Sequence, residues 1–281
     1  MTAGFLAVGA LLLSRAEPRD AAPLFAAPLR AQSGNTLMPA ESAAKARQLI
    51  DAAIAARGGS AYLGVRDVTC EGRVAQIGRG EELTGFARFI DYTKLPDKSR
   101  TEFFKKRNII SVNNGNQGWE LDRGGVVDAT PDAVQHFLES LKKDIDQLFR
   151  LRLKEEGMSF RYAGTGIVDL KQVDWVEVVD SGRRTTRIAF DPATHLPLRA
   201  EYITRDPVTR QRSVEVEYFA NFHVMQGVLT PMQSTRERDG ARVMQLFLDS
   251  CKYNTGLDDA LFTRESLGHR WAELDKGKKK K

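Results

Sequence analysis

From about Val65 to Cys251 the chain repeats one unit: a strand-sized run rich in β-branched and aromatic residues, then a Gly, Pro, Asn or Asp breaker. Val65–Ile77 alternates, with Val68, Cys70 and Val74 opposite Asp67, Glu71 and Arg73. Leu83–Tyr92 and Arg100–Val112 follow on either side of Leu95-Pro96-Asp97. Asn113-Asn114-Gly115 is a strong hairpin signal and leads into Gln117–Leu121. The second half continues as a meander: Phe160–Val168, Val173–Asp180, Arg183–Phe190, Leu198–Arg205, Arg212–Phe222, Met232–Arg238 and Val243–Tyr253. Breakers such as Ser181-Gly182, Asp191-Pro192, Asp206-Pro207 and Asp239-Gly240 keep each connection short. Short connections pair sequence neighbours antiparallel. About eleven such strands cannot stay flat, because each twists against the next. The expected class is mainly β with α: an unclosed antiparallel half-barrel covered by helices.

Two segments carry helical spacing instead. Glu41–Arg57 repeats Ala46, Leu49, Ile50, Ala53 and Ile54 on a narrow stripe, and Gly58-Gly59 stops it. Such a stripe suits the edge or rim of a sheet. Thr130-Pro131-Asp132 opens the second with a capping hydroxyl, Pro at the first position and an acid in the first turn. Val134, Phe137, Leu138, Leu141, Ile145, Leu148 and Phe149 then form one wide apolar face, ending at Gly157. The spacing predicts one helix of about 25 residues whose apolar face needs a sheet to cover. Leu257–Phe262 reads as a short closing turn or helix.

The ends divide the 281-residue chain further. Gly4–Leu13 is an unbroken apolar run of signal-peptide length, and Ser14-Arg15-Ala16 fits a small-x-small cleavage site. Residues 1–16 are therefore expected as an export signal or N-terminal anchor, 17–40 as a linker, 41–265 as the folded domain and 266–281 as a basic tail. The formal net charge of +5 is partly local, since Lys276 and Lys278–Lys281 sit at the very end. The body is close to neutral, so no basic stripe points to nucleic acid. Cys70 and Cys251 could pair in an exported chain or remain two buried thiols. The spacing does not decide between them, and no metal-type spacing exists.

Catalytic patterns are missing. His136, His195, His223 and His269 are scattered and share no motif. The chain has no Gly-x-Ser-x-Gly elbow, HExxH or P-loop. The carboxylates fall in strand alternation: Glu215 and Glu217 oppose Val214, Val216 and Tyr218, as on a half-solvated strand. No catalytic residue, metal ligand or cofactor is expected. The aromatic residues are the more informative population. Spread over nearly every strand, they build a core, or a core with an uncovered apolar pocket, and the sequence leaves both open. The pocket reading takes Phe86, Tyr92, Phe103, Trp119, Trp175, Tyr202 and Tyr218 from the strands, with Phe137, Leu141 and Ile145 from the helix as a lid.

Several strings resemble the outer-membrane lipoprotein carrier superfamily (LolA/LolB-like). Lys94-Leu95-Pro96-Asp97-Lys98-Ser99-Arg100 between strands resembles its K-x-P-x-x-x-R segment, followed by Asn114-Gly115 and Trp119. Leu95 stands where the carrier has a basic residue directly before the motif proline. Asp191 to Arg199, including Pro197, resembles a later D-x-x-T-x-L-P-x-R hairpin. Gly227 to Pro231 resembles G-V-x-x-P, and Leu257 to Phe262 resembles the closing L-x-D-x-x-F segment. The resemblance spans about Arg47 to Phe262 and implies an open antiparallel barrel with helical lids that binds lipid without catalysis.

The leading expectation is thus a periplasmic, monomeric binder or carrier of lipoprotein acyl chains or another hydrophobic ligand. A second reading is an envelope protein-interaction or lipoprotein-sensing domain with a filled core. A third, a hydrolase, needs His195 or His223 to approach an acid.

Overall fold

The computed structural model describes residues 37–78, 80–103, 108–205 and 212–278. The expected export signal and cleavage site, most of the linker, Phe104, the Asp206-Pro207 turn and Lys279–Lys281 lie outside the described residues.

The strands form one antiparallel sheet. The first six are β1 (Asp67–Ile77), β2 (Leu83–Lys94), β3 (Lys98–Phe103), β4 (Ile109–Asn114), β5 (Gln117–Asp122) and β6 (Gly125–Asp128). The rest are β7 (Ser159–Val168), β8 (Lys171–Val179), β9 (Thr185–Phe190), β10 (Pro197–Arg205), β11 (Arg212–Met225), β12 (Val228–Arg238) and β13 (Ala241–Tyr253). Among the described residues thirteen strands therefore replace the eleven or so expected. The extra ones arise where Arg100–Val112 divides into β3 and β4, and where Val126 and Val127 pair back as β6.

The order is β6-β5-β4-β3-β2-β1-β13-β12-β11-β10-β9-β8-β7. Every neighbour is a hairpin partner except one pair: β1 and β13 meet in the middle. Cys70 and Cys251 face each other across that seam and form a disulfide, closing a separation of 181 residues. The first and last strands are thereby locked together, while β6 and β7 become the two edges among the described residues. The sheet is unclosed, as expected. Its helical cover is modest.

α1 (Pro39–Ala56) begins at a proline, and Glu41 reaches back to the Met38 backbone N–H at 3.1 Å. Ala46, Ile50 and Ala53 are buried against β7 and β8, the rim of the sheet. Gly58 ends it with φ 120°, where a Cβ would lie 2.2 Å from the Gly227 carbonyl oxygen. Only glycine allows the chain to pass the β11–β12 turn so closely. A short α2 (Ser60–Leu63) then buries Tyr62.

The expected single helix from Thr130 to Gly157 is broken. α3 covers Pro131–Lys143, capped by Thr130, whose Oγ1 accepts from Ala133 N at 3.2 Å. Asp144 is extended, with ψ 120°, and its carboxylate caps the next short helix, α4 (Ile145–Gln147), by accepting from Asp146 N at 2.7 Å. A π-helical turn, Leu148–Arg152, continues from it. An Asp that caps the following turn competes with continuing the preceding helix.

Cores form on both faces of the sheet. On the inner face, α1, α2, α4 and the π turn pack on Val176, Ile188, Ala200 and Tyr202. On the outer face, a 3₁₀ turn (Asp259–Phe262) and α5 (Arg264–Lys278) cover Ile110, Val112 and Leu121 with Phe262 and Leu267. The stretch expected as a basic tail from residue 266 is thus helical through residue 278. Leu267 has no exposed surface and anchors it. No helix among the described residues is long and apolar enough to cross a membrane.

Candidate functional site

The chain must travel from β6, one edge of the sheet, to β7, the other. α3, α4 and the π turn make that passage across the inner face. Topology therefore lays α3 over the sheet. Beneath it lies a cavity of ≈ 1050 Å³, bounded by α3 and by β1, β2 and β10 to β13.

Register fixes which side chains reach it. One inner row runs Ile188, Ala200, Glu217, Arg236, Met244 and Gln76 across β9, β10, β11, β12, β13 and β1. The next row runs Tyr202, Glu215 and Arg238. One end of these strands thus leads out of the apolar core into a charged wall, with Ile77, Leu141, Val243 and Met244 supplying apolar surface beside it. The all-apolar lining expected for a pocket is replaced by a mixed one.

The wall is ion-paired. Lys143 Nζ lies 2.9 Å from Glu215 Oε1, and Arg238 Nη2 lies 3.5 Å from the same oxygen. Arg236 Nε donates to Glu217 Oε1 at 3.2 Å. Asp144 lines the cavity and makes no ion pair among the described residues. Asp144 keeps exposed surface, but crowding by the surrounding protein and the nearby Asp146 and Glu217 charges push its carboxyl up to about 6. The Tyr202 hydroxyl is buried and has no hydrogen-bond partner among the described residues.

Behind this wall the passage is pinned by a buried cluster. Arg57 is 1% exposed; its guanidinium pairs with Asp146 and donates from Nε to the Leu229 carbonyl at 3.2 Å. Tyr62 donates its hydroxyl to Asp146 Oδ1 at 2.8 Å. Arg150 Nη1 stands 3.5 Å from Asp146 Oδ2, and its guanidinium lies 4.3 Å from the centre of the Tyr62 ring. Burial works against the Asp146 charge, but Arg57, Arg150 and the hydroxyl of Tyr62 override it and hold the carboxyl down at about 2.

The residues expected to line a pocket divide between the two faces. Leu141 and Tyr202 line the cavity. Ile145 lies in the inner core beside it, Phe137 is half-buried on α3, and Phe103 is on the inner face opposite Phe89. Five others point outward. Tyr92 and Trp119 pack beneath the 3₁₀ turn and α5. Trp175 and Tyr218 form an outer cluster with Val173 and Ala189, where Arg187 and Arg199 lie over their rings at 4.6 Å and 5.1 Å. Phe86 is 58% exposed on the outer side. His136 borders the cavity and His223 meets Asn221, not an acid.

The motif residues are a docking device. Lys94 donates to Leu257 O at 2.9 Å and to Asp259 at 2.7 Å, joined by Lys98. Together they hold the exposed Asp259 carboxyl down at about 2. Arg100 donates to Leu261 O at 3.1 Å and to Ser266 at 2.9 Å. Pro96 offers its carbonyl to the Gln147 amide at 2.8 Å. Gly115, with φ 58°, turns the β4–β5 hairpin whose Asn114 reaches Phe262 O at 3.3 Å. Strings read separately in the sequence are thus bonded to one another in space. Pro197 and Pro231 sit in β10 and β12 opposite Phe190 and Phe222.

Sequence reasoning passed over Asp144, Glu215, Glu217, Arg236 and Arg238. A signal was present. Glu215-x-Glu217 and Arg236-x-Arg238 have the spacing of two charged strips on one face, and a hairpin would set them opposite each other.

No protein-family model and no curated protein matches the sequence. Solved structures do match the fold. A DUF1329 family protein from Desulfovibrio piger superposes with a TM-score of 0.56 at 17% identity, covering 79% of this chain and 98% of that one. A domain assigned to outer-membrane lipoprotein sorting in Vibrio parahaemolyticus gives 0.53 at 13% identity, over 80% and 99%. A LolA superfamily protein from Nitrosomonas europaea gives 0.51 at 14% identity, over 79% and 99%. The fold is therefore LolA/LolB-like, as the motifs suggested.

Proposed function

We propose that this protein binds a hydrophobic or lipidated ligand, without catalysis, in the cavity beneath α3. One observation carries the reading: a LolA/LolB-like sheet whose edge-to-edge crossover roofs a cavity of ≈ 1050 Å³. Small-molecule sites run to about 1,000 Å³, so the space is ample for an acyl chain. Such a chain gains about 0.8 kcal/mol for each buried CH₂, enough to hold it against ordering costs. Leu141 and Tyr202 are the two expected lining residues that this reading uses, with Ile77, Val243 and Met244 beside them.

We further read the chain as an exported, periplasmic monomer. The N-terminal apolar run supports export. The Cys70–Cys251 disulfide supports an oxidising compartment, since such bonds are rare in the cytosol. The cavity argues against the filled-core alternative of a protein-interaction or sensing domain. The vesicle-free protein should copurify with lipid in native mass spectrometry and take up a fluorescent fatty acid or alkylamine. Failure to carry any lipid and to take up either probe would remove the proposal.

A further inference from the structure

We propose that the cavity selects the head group of its ligand, and that the head it takes is cationic: an amphiphile carrying an ammonium group, held by Asp144 and the Tyr202 hydroxyl. This deepens, and rests on, the binding role argued above.

Three cations of the wall already face carboxylates. Lys143 and Arg238 both engage Glu215, and Arg236 engages Glu217. Lys143 and Arg238 share a single carboxylate, but each cation of the wall is already drawn to an anion of the protein. The Asp144 carboxylate has no ion-pair partner among the described residues; its recorded hydrogen bonds come from the backbone N–H groups of Asp146 and Gln147, at 2.7 Å and 3.4 Å. An incoming carboxylate or phosphate would meet Asp144 as a like charge; an ammonium would complete it.

A second observation is independent of that charge pattern. Tyr202 is 6% exposed, lines the cavity, and its hydroxyl finds no partner among the described residues. A buried hydroxyl without a partner costs free energy, and such groups in native proteins are usually satisfied by something. Tyr202 belongs to the same electrostatic neighbourhood as Asp144, Glu217 and Arg236, each of which acts on its phenolic hydroxyl. Its oxygen can accept an N–H of the head. Ser234, on the inner face one alternation from Arg236, is buried with an equally unpartnered hydroxyl. Ile77, Val243 and Met244 then offer a path for the tail.

The test compares three probes of equal tail length, dodecylammonium, dodecanol and dodecanoate. Each is titrated into the full protein below its micelle threshold at neutral pH, with calorimetry as the readout. Dodecylammonium should bind about tenfold tighter than dodecanoate, with dodecanol between them. Asp144→Asn keeps the helix cap, because Asn caps as well as Asp. It should erase the preference for ammonium while leaving dodecanol unchanged. Tyr202→Phe removes only the orphan hydroxyl and should weaken dodecylammonium severalfold. Dodecanoate binding as tightly as dodecylammonium overturns the head-group inference and leaves the binding role standing. A preference that survives both substitutions, or an equal loss of all three probes, also overturns it. No binding of any probe sinks the binding role itself.

Discussion

α3 and the segment that follows it were one helix by sequence, yet they behave as opposites. Over Ile145–Arg152, Ile145, Gln147, Leu148 and Phe149 are buried, and Asp146 is held by two arginines and a tyrosine. Over Pro131–Lys143 no residue is buried at all, although Val134, Phe137, Leu138 and Leu141 make a clear apolar stripe. One half is bolted to the inner core; the other is a roof resting on a cavity. The break at Asp144 separates them. What this teaches is that an amphipathic stripe records a surface in need of cover, not how completely the fold supplies it. A helix with few buried contacts next to a pinned one is where low-energy local opening belongs.

Breaking the pinned half should have the largest effect. Asp146→Ala leaves the buried Arg57 and Arg150 guanidinium groups without their counter-charge and should cost about 3–5 kcal/mol in urea unfolding. Its counterpart on the roof, Glu139→Ala, loses partly exposed ion pairs with Lys142 and Arg184 and a hydrogen bond from Gln135, and should stay within about 1 kcal/mol. Equal losses at the two sites would refute the contrast. Packing offers a second, smaller comparison. Leu148, 4% exposed, should cost about 2–5 kcal/mol as Leu148→Ala, with Leu138→Ala on α3 costing less than half of that. A roof residue as costly as Leu148 would mean that α3 is clamped.

The finest comparison is by pH, because the two aspartates flanking the break are shifted in opposite directions. Asp146 is depressed to about 2 in the folded protein. Its contribution is present above the ordinary carboxylate value of about 4 and is lost as pH falls from there toward about 2. Asp144 is raised to about 6, so the folded protein holds that proton more tightly than the unfolded chain does. Stability from Asp144 is complete below about 4 and is lost as pH rises through about 6. Unfolding free energies measured across this range should therefore slope in opposite senses on either side of about pH 4. Asp144→Asn should flatten the upper slope only. A slope unchanged in that variant would mean Asp144 titrates normally.

Much of the scaffold was legible in the chain. Alternation and breakers located every strand run except β6, with β3 and β4 read as one, and the Thr130-Pro131-Asp132 start placed α3 to the residue. The narrow stripe of α1 did find the sheet rim. The candidate site was much less so. Alternation states that a strand has two faces but not which face looks inward. Tyr92, Trp119, Trp175 and Tyr218 therefore looked like pocket residues, while they are covered on the outside by α5, the 3₁₀ turn and arginine side chains. Glu215 and Glu217 looked like a solvated strip for the same reason and instead line the cavity.

The sequence by itself determined local geometry: strand length, turn position, helix starts and antiparallel neighbours, because these depend on residues a few positions apart. Only the tertiary structure decided what covers what. The seam of β1 with β13, the choice of inner face, and the passage of residues 129–158 from one sheet edge to the other all join residues far apart in the chain. No periodicity encodes such pairings, since they are set by which apolar surfaces remain uncovered once the local elements have formed.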